Sequence, residues 1–154
     1  DVPVALLLPH VLTMFIALIF ASAAGMFALF REKAYKLYAW VTLGLIVVGG
    51  LVLGPFVQLH AFNEFWAGVP NGWDLTDNKT LIMFLFWLAA VLLNIKKDRP
   101  VAVAVAALAT LVVYAIPHSM YGSTLDYETG EIKEGATSLL LVLFFLNTDV
   151  TDDY

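Results

Sequence analysis

Four long apolar runs, separated by short polar segments, constrain this 154-residue chain more than any other feature of its sequence. They cover residues 4–30, 37–62, 79–95 and 101–121. A helix needs about 20 apolar residues to cross the hydrocarbon core of a bilayer. Only 14% of the residues are charged, whereas soluble domains have about 25%. The pattern predicts an all-α integral membrane four-helix bundle over residues 1–122, with short loops outside the membrane and no large aqueous domain.

Two of the four runs carry local signals about helix packing and helix starts. The second run contains Gly50 and Gly54, whose spacing places both on one helix face, where small residues allow a neighbouring helix to approach closely. The third run has about 16 apolar residues, slightly fewer than a span needs. We therefore expect its helix to gain a turn from residues 77–79, with Thr76 or Asp77 as the cap.

Residues 123–154 form an acidic tail that follows the bundle. Within it, residues 126–131 include Thr129-Gly130 and predict a turn or a short hairpin. Residues 137–146 are apolar, but ten residues rise only about 15 Å as a helix, half of the hydrocarbon thickness of about 30 Å. We expect this segment to lie along the outer surface or to dock on a partner, unless it begins a fifth span.

The distribution of basic residues predicts the orientation of the bundle. Six of the eight Lys and Arg residues, and two of the thirteen acidic residues, lie between the first and second runs or between the third and fourth. These basic residues are Arg31, Lys33, Lys36, Lys96, Lys97 and Arg99. One side of the membrane therefore carries a charge of +4 and the other −9. Because basic loops stay in the cytoplasm, we expect a multi-pass protein of the inner (cytoplasmic) membrane with its N-terminus outside.

The composition excludes several classes of chemistry and of partner. The chain has no cysteine, which excludes thiolate metal sites, iron–sulfur clusters and thiol redox chemistry. No glycine-rich phosphate loop, nucleophile elbow or zinc-protease motif occurs. The acidic outer side would attract a cationic soluble electron carrier or a metal ion, and it argues against a nucleic-acid partner. We name no catalytic residue and do not expect the chain to be catalytic alone.

Three histidines remain as candidates for chemistry, and the predicted topology places all three in the outer third of the membrane. His10 lies in the first run, His60 at the end of the second and His118 at the end of the fourth. An ionisable residue within a span is by default a functional hypothesis, and imidazole is a common ligand of haem iron, zinc and copper. The alternative interpretation is that these histidines make ordinary hydrogen bonds to loop groups.

The residues on the same helix faces favour an inward position for the histidines. Steps of three and four from His10 and from His118 fall mostly on small residues, which pack well inside membrane bundles. From His10 the steps give Met14, Ala17, Ala21, Ala24 and Ala28; from His118 they give Ala115, Leu111, Ala107 and Ala104. His60 projects over a similar face that contains Phe56, Leu53 and Gly49-Gly50.

Two histidines on facing helices can hold one haem from both sides, and small residues beside them leave room for the macrocycle. We therefore predict at most one b-type haem near the outer face, with His118 as the first choice of ligand, His10 as the second and His60 as the third. Zinc or copper bound by the same histidines is the alternative. The candidate hydrogen-bonding partners of the haem propionates are Lys79, Asn63, Asn78, Trp66 and Trp73.

Two stretches carry a resemblance to a known family. Residues 9–18 read PHVLTMFIAL and residues 122–130 read GSTLDYETG. They resemble, respectively, the opening of the first helix and the segment after the fourth helix in the bacterial four-span domain-of-unknown-function family 2231. Met14 and Ile16 stand where that family carries a second histidine and a proline, so a histidine-based role carried over from it rests on His10. The resemblance implies a small membrane domain found near redox proteins.

These features together predict an integral membrane subunit of a larger, redox-associated complex. With one haem bound, it would pass electrons between a quinone or a partner subunit and the outer side. The lipid bilayer and the other subunits of the complex are its expected partners. The alternative function is a cofactor-free structural or assembly subunit, and a zinc or copper site on the histidines is a further one.

Overall fold

The structure, a computed structural model, describes residues 2–116, 124–125 and 132–133. Within the first of these ranges the chain forms five α-helices joined by short connections. They are α1 (Val4–Leu29), α2 (Tyr35–Ile46), α3 (Gly54–Phe62), α4 (Leu75–Lys96) and α5 (Pro100–Ala115). A π-helical segment, Val47–Leu53, joins α2 to α3, so that Tyr35–Phe62 is one continuous helix of 28 residues. The all-α prediction is confirmed.

Three of these helices are long and apolar enough to cross a membrane: Val4–Leu29, Tyr35–Phe62 and Leu75–Lys96. The 16 residues of α5 are also apolar and rise about 24 Å; the predicted extension of this run to residue 121 lies outside the described residues. Large apolar side chains are exposed on every one of these helices, for example Ile19, Trp40, Leu85 and Leu108. Such a surface suits lipid rather than water. The chain is therefore a multi-pass membrane protein in contact with the bilayer.

The bundle core is built on a stripe of small residues along α1. The buried residues of this helix are Ala17, Ala21, Ala24, Gly25 and Ala28. They let α2 and α5 pack closely against α1; a Cβ added at Gly25 would lie only 2.6 Å from Cβ of Ala107 in α5. The inward face predicted by stepping along α1 from His10 is confirmed.

The buried face of α5 differs from the predicted one. Ala107 is buried, but Leu111 and Ala115 are exposed. The buried positions are Val103, Ala106, Ala107 and Thr110. The hydroxyl of Thr110 accepts a hydrogen bond from Nε1 of Trp87 at 2.8 Å and donates to the carbonyl of Ala106 at 2.9 Å. Because buried polar groups must be paired, this contact with α4, and not side-chain size, sets the rotation of α5.

Helix α4 begins earlier than its apolar residues suggest. Its first residue is Leu75, and the N-cap is Asp74 rather than Thr76 or Asp77. The Asp74 carboxylate accepts a hydrogen bond from the backbone N–H of Asp77 at 2.9 Å. The first turn is polar, so hydropathy does not reveal it, whereas the capping bond defines it.

The chain consists of two compact units, Asp1–Ile116 and Pro117–Tyr154. The helices above belong to the first unit. In the second, β1 (Thr124–Leu125) pairs antiparallel with β2 (Ile132–Lys133). The predicted turn or short hairpin at residues 126–131 lies outside the described residues. His118 and residues 137–146 lie outside the described residues.

Candidate functional site

The second membrane helix contains an unusual π-helical segment of seven residues, Val47–Leu53. Gly49 and Gly50 lie inside it, and Gly54-Pro55 follows directly. Proline has no N–H to donate, and its ring clashes with a carbonyl one turn earlier, while glycine adds backbone freedom. These residues explain why the helix departs from α geometry here. Such π segments are frequent at functional sites.

His10 of α1 makes a hydrogen bond to this segment. Its Nδ1 lies 2.9 Å from the carbonyl oxygen of Gly49, which also accepts the N–H of Gly54 in the five-residue bond of π geometry. A carbonyl oxygen has two lone pairs and can only accept, so Nδ1 of His10 carries the proton. In the neutral imidazole, Nε2 then has the free lone pair that a metal ligand requires.

The π segment packs directly on α1 around this histidine. A Cβ added at Gly54 would lie 3.7 Å from Cε1 of His10, and one added at Gly49 would lie 2.9 Å from Sδ of Met14. His10 itself is half-buried. The imidazole is therefore held between two membrane helices and is fixed at one of its nitrogens.

Helices α4 and α5 also make contacts in the region around His10. A Cβ added at Gly50 would lie 2.6 Å from Cγ2 of Thr80 in α4. The hydroxyl of Tyr114 in α5 donates to the carbonyl of Met14 at 2.7 Å. Met14 follows His10 by four residues, about one helical turn. Helices α4 and α5 thus contact the π segment and α1 at Gly50, next to the partner of His10, and at Met14, one turn from His10.

The start of α4 orders the loop that precedes it. The carboxylate of Asp77, which is 5% exposed, accepts the backbone N–H groups of Ala67 at 2.7 Å and of Gly68 at 3.2 Å. Oδ1 of Asn78 accepts the N–H of Val69 at 2.8 Å. Gly68 is required here because a Cβ would lie 2.7 Å from Cβ of Asp77. The oxygen atoms of this polar stretch therefore hold the loop in place.

Lys79 is a second buried charged group in this part of the molecule. It is 4% exposed, and its Nζ donates to the carbonyl of Ile116 at 3.0 Å. Ile116 directly follows α5, where a cation is favourable for the last carbonyls of a helix. Trp66 likewise donates its indole N–H to the carbonyl of Val69 at 3.1 Å. Three of the predicted propionate partners, Lys79, Asn78 and Trp66, thus make hydrogen bonds within the protein.

His60 does not join His10, and its predicted inward position is wrong. It is exposed near the end of α3, and its Nδ1 bonds to the carbonyl of Phe56 in the same helix at 2.8 Å. Gly54, which lies beside His10, is separated from His60 by six residues, about 9 Å along a helix and about 240° around it. Residues 2–116 also contain no group of three or more His, Asp or Glu that could hold a metal ion.

Two features of this region are not predicted from the sequence, although each has a signal in it. The contact between His10 and Gly49 is signalled by Gly49-Gly50 close to Gly54-Pro55 in the middle of a membrane helix. The clamp on the loop is signalled by residues 74–79, a polar stretch that directly precedes an apolar run. In both cases the partner lies far away in the sequence or on backbone atoms, which composition does not show.

No protein family matches the chain, and no curated protein or solved structure matches it either. A function for the chain is therefore inferred from its own residues.

Proposed function

We propose that the chain is an integral membrane subunit of a redox-associated complex and that His10 is an axial ligand of one b-type haem. The observation that carries this proposal is the 2.9 Å hydrogen bond between Nδ1 of His10 and the carbonyl of Gly49. Histidines that ligate metals typically donate their other ring N–H to a carbonyl or a carboxylate, which fixes the tautomer and orients the ring. His10 has this arrangement.

Within residues 2–116, the donor set favours haem over zinc. A protein zinc site needs three or four ligands, and residues 2–116 contain no such group. Haem iron needs one strong protein ligand, as a proximal histidine provides in many haem proteins. His10 supplies one nitrogen donor and half-buried surroundings. His118 enters as a second ligand on the sequence prediction, since it lies outside the described residues.

Bound haem would supply one-electron chemistry, and the subunit would pass electrons between a quinone or a partner subunit and the outer side. The charge distribution supports an orientation in the cytoplasmic membrane with the basic loops inside and the N-terminus outside. The charge of −9 on the outer side would then attract a cationic electron carrier.

A cofactor-free structural or assembly subunit is the second candidate function. Its support is that every buried side-chain nitrogen or oxygen in the described part of the chain already has a hydrogen-bond partner. Under this function, His10 links α1 to the π segment by a hydrogen bond and binds no cofactor. The two functions differ in one observable, the presence of a bound chromophore.

The visible spectrum of the protein purified in mild detergent tests the proposal. We expect a Soret band with sharp α and β bands after reduction. His10→Ala should lose the haem, and added imidazole should restore part of it by filling the vacated ligand position. His60→Ala is the matched control, because this exposed histidine bonds only within its own helix, and it should retain the haem. His118→Ala tests the second ligand predicted from the sequence.

Two results would contradict the haem proposal. A featureless spectrum of the wild-type protein, purified without metal stripping, would favour the cofactor-free subunit. Full haem retention in His10→Ala would remove His10 as the ligand. Size-exclusion chromatography of His10→Ala separates loss of haem from loss of folding.

A further inference from the structure

An open pocket of about 340 Å³ lies where α4 ends, far along this helix from the loop clamp at its start. Three apolar and three basic side chains line it: Leu92, Leu93, Ile95, Lys96, Lys97 and Arg99. Its surface is mostly apolar: Leu92, Leu93 and Ile95 form an apolar wall, and Lys96, Lys97 and Arg99 form a cationic rim where α4 ends. Its function is independent of the proposed haem site.

The buried side chain of Asn94 fixes the backbone next to the cationic rim. Asn94 is 6% exposed, and its Oδ1 accepts hydrogen bonds from the backbone N–H of Arg99 at 2.7 Å and from the hydroxyl of Tyr35 at 2.8 Å. Its Nδ2 donates to the carbonyls of Arg99 at 3.0 Å and of Ala90 at 2.8 Å. The short connection after α4 is thereby folded back onto the helix end. These bonds fix the backbone of Arg99, three residues after Lys96.

Within the described residues, the three cations of the rim have no acidic partner. The one acid in this connection, Asp98, forms an ion pair with Lys36. The hydrogen bond and charge of Lys36 hold the pKa of the Asp98 carboxyl below its ordinary value. Among the described residues this is the one salt bridge, so Lys96, Lys97 and Arg99 each lack an ion-pair partner there.

The apolar wall faces outward from the bundle. Leu92, Leu93 and Ile95 are 54%, 46% and 59% exposed. They belong to α4, one of the helices long enough to cross the membrane, and they directly precede the cations. These residues fit a molecule that carries a negative head group with hydrocarbon beside it.

We propose that this pocket binds one anionic phospholipid, with its phosphate on the cationic rim and its acyl chains on the apolar wall. Ammonium and guanidinium groups make charge-assisted hydrogen bonds to phosphate oxygens. Basic pockets at the cytoplasmic membrane boundary attract anionic head groups for this reason. A lipid without net charge would leave the three cations uncompensated.

Native mass spectrometry of the full chain in mild detergent tests this proposal. With equal amounts of phosphatidylglycerol and phosphatidylcholine added, we expect the anionic lipid to remain bound preferentially. Lys97→Gln with Arg99→Gln should weaken its binding by roughly tenfold to thirtyfold, the factor expected for two cations at a membrane surface. The matched control, Arg31→Gln with Lys33→Gln, removes two cations that do not line the pocket and should weaken binding much less.

Three outcomes would overturn the proposal. Equal loss in both double variants would mean that diffuse surface charge, not the pocket, attracts the lipid. Equal retention of both lipids by the wild-type protein would remove the head-group preference. Displacement of phosphatidylglycerol by an equal concentration of inorganic phosphate would identify a site for free anions. Because all four substituted side chains are exposed, the variants should fold, and size-exclusion chromatography checks this.

Discussion

Gly50 lies so close to Thr80 that a Cβ added to the glycine would be 2.6 Å from Cγ2 of the threonine. Thr80 cannot easily turn away, because its hydroxyl donates to the carbonyl of Thr76 at 3.1 Å. The contact joins the π segment to α4 at the residue that follows Gly49, the partner of His10. The position of the candidate site relative to α4 therefore depends on the absence of a Cβ at Gly50.

Gly50→Ala should destabilise the protein by about 1–3 kcal/mol, the usual penalty for overpacking a close contact. Thr80→Ser removes Cγ2 and keeps the hydroxyl, so we expect Gly50→Ala with Thr80→Ser to recover most of the loss. Thermal unfolding in detergent measures both effects. Gly44→Ala is the control, because nothing lies within 4 Å of its added Cβ, and it should be neutral or stabilising by up to about 1 kcal/mol.

The packing explanation fails if Gly44→Ala is as harmful as Gly50→Ala. It also fails if Thr80→Ser gives no recovery, since the loss would then come from the backbone of the π segment rather than from the methyl contact.

Asp77→Ala should release the loop before α4. It leaves the N–H groups of Ala67 and Gly68 without their acceptor, and an unpaired buried donor costs about 1–3 kcal/mol. Hydrogen exchange at these two amides should accelerate by more than exchange elsewhere in the loop. Asp77→Asn keeps an acceptor oxygen and should retain most of the protection.

Glu64→Ala is the control for this prediction, because Glu64 is an exposed acid beside the same loop. In Glu64→Ala, hydrogen exchange at the amides of Ala67 and Gly68 should match that of the wild-type protein. Unchanged protection of Ala67 and Gly68 in Asp77→Ala would show that the carboxylate does not order the loop.

The sequence predicts the elements of the bundle better than the way they face one another. The inward stripe of α1 follows from regular spacing of alanines, which is a local property, and Ala17, Ala21, Ala24 and Ala28 are buried as expected. The rotation of α5 depends on Thr110 meeting Trp87 across 23 positions, which no periodicity in α5 shows. Small residues such as Ala115 fit either an inward or a lipid-facing position.

In the candidate site too, the sequence predicts the residues better than their contacts. His10 is identified from its type and place in an apolar run, and the structure gives it a specific partner. His60 has the same type and a similar place, yet it is exposed and bonds within its own helix. The π segment accounts for this difference between His10 and His60. His60 follows the π segment, and side chains after such a segment point in other directions than they would in a regular α-helix.

The ion pair between Lys36 and Asp98 should make stability depend on pH. Lys36 holds the pKa of Asp98 below its ordinary value of 3.8 through a hydrogen bond and its charge. A carboxylate with a lowered pKa in the folded state stabilises fully above its unfolded pKa, and this contribution is lost as the pH falls through the folded pKa. Asp98→Asn should therefore lower stability at neutral pH, and its difference from the wild type should shrink as the pH falls below 3.8.

Unfolding of both proteins in detergent, followed from neutral to acidic pH, measures this difference. Glu32→Gln removes an exposed acid from the α1–α2 connection, and its effect should not follow the same course. A difference between Asp98→Asn and the wild type that stays constant over the whole range would contradict the assignment to the ion pair. Added salt should also reduce the difference at neutral pH, because both side chains are exposed to solvent.

Asn71→Cys and Lys97→Cys should be labelled from opposite sides of the membrane. The chain has no cysteine of its own, so each variant carries one reactive thiol, and both positions are exposed. The charge of +4 on the side of Lys97 predicts that this side faces the cytoplasm. An impermeant maleimide should then label Asn71→Cys in intact cells, and label Lys97→Cys only after the membrane is opened.

Arg31→Cys, in the other basic connection, should behave like Lys97→Cys. Equal labelling of Asn71→Cys and Lys97→Cys in intact cells, or the reverse pattern, would contradict the inward orientation of the basic loops.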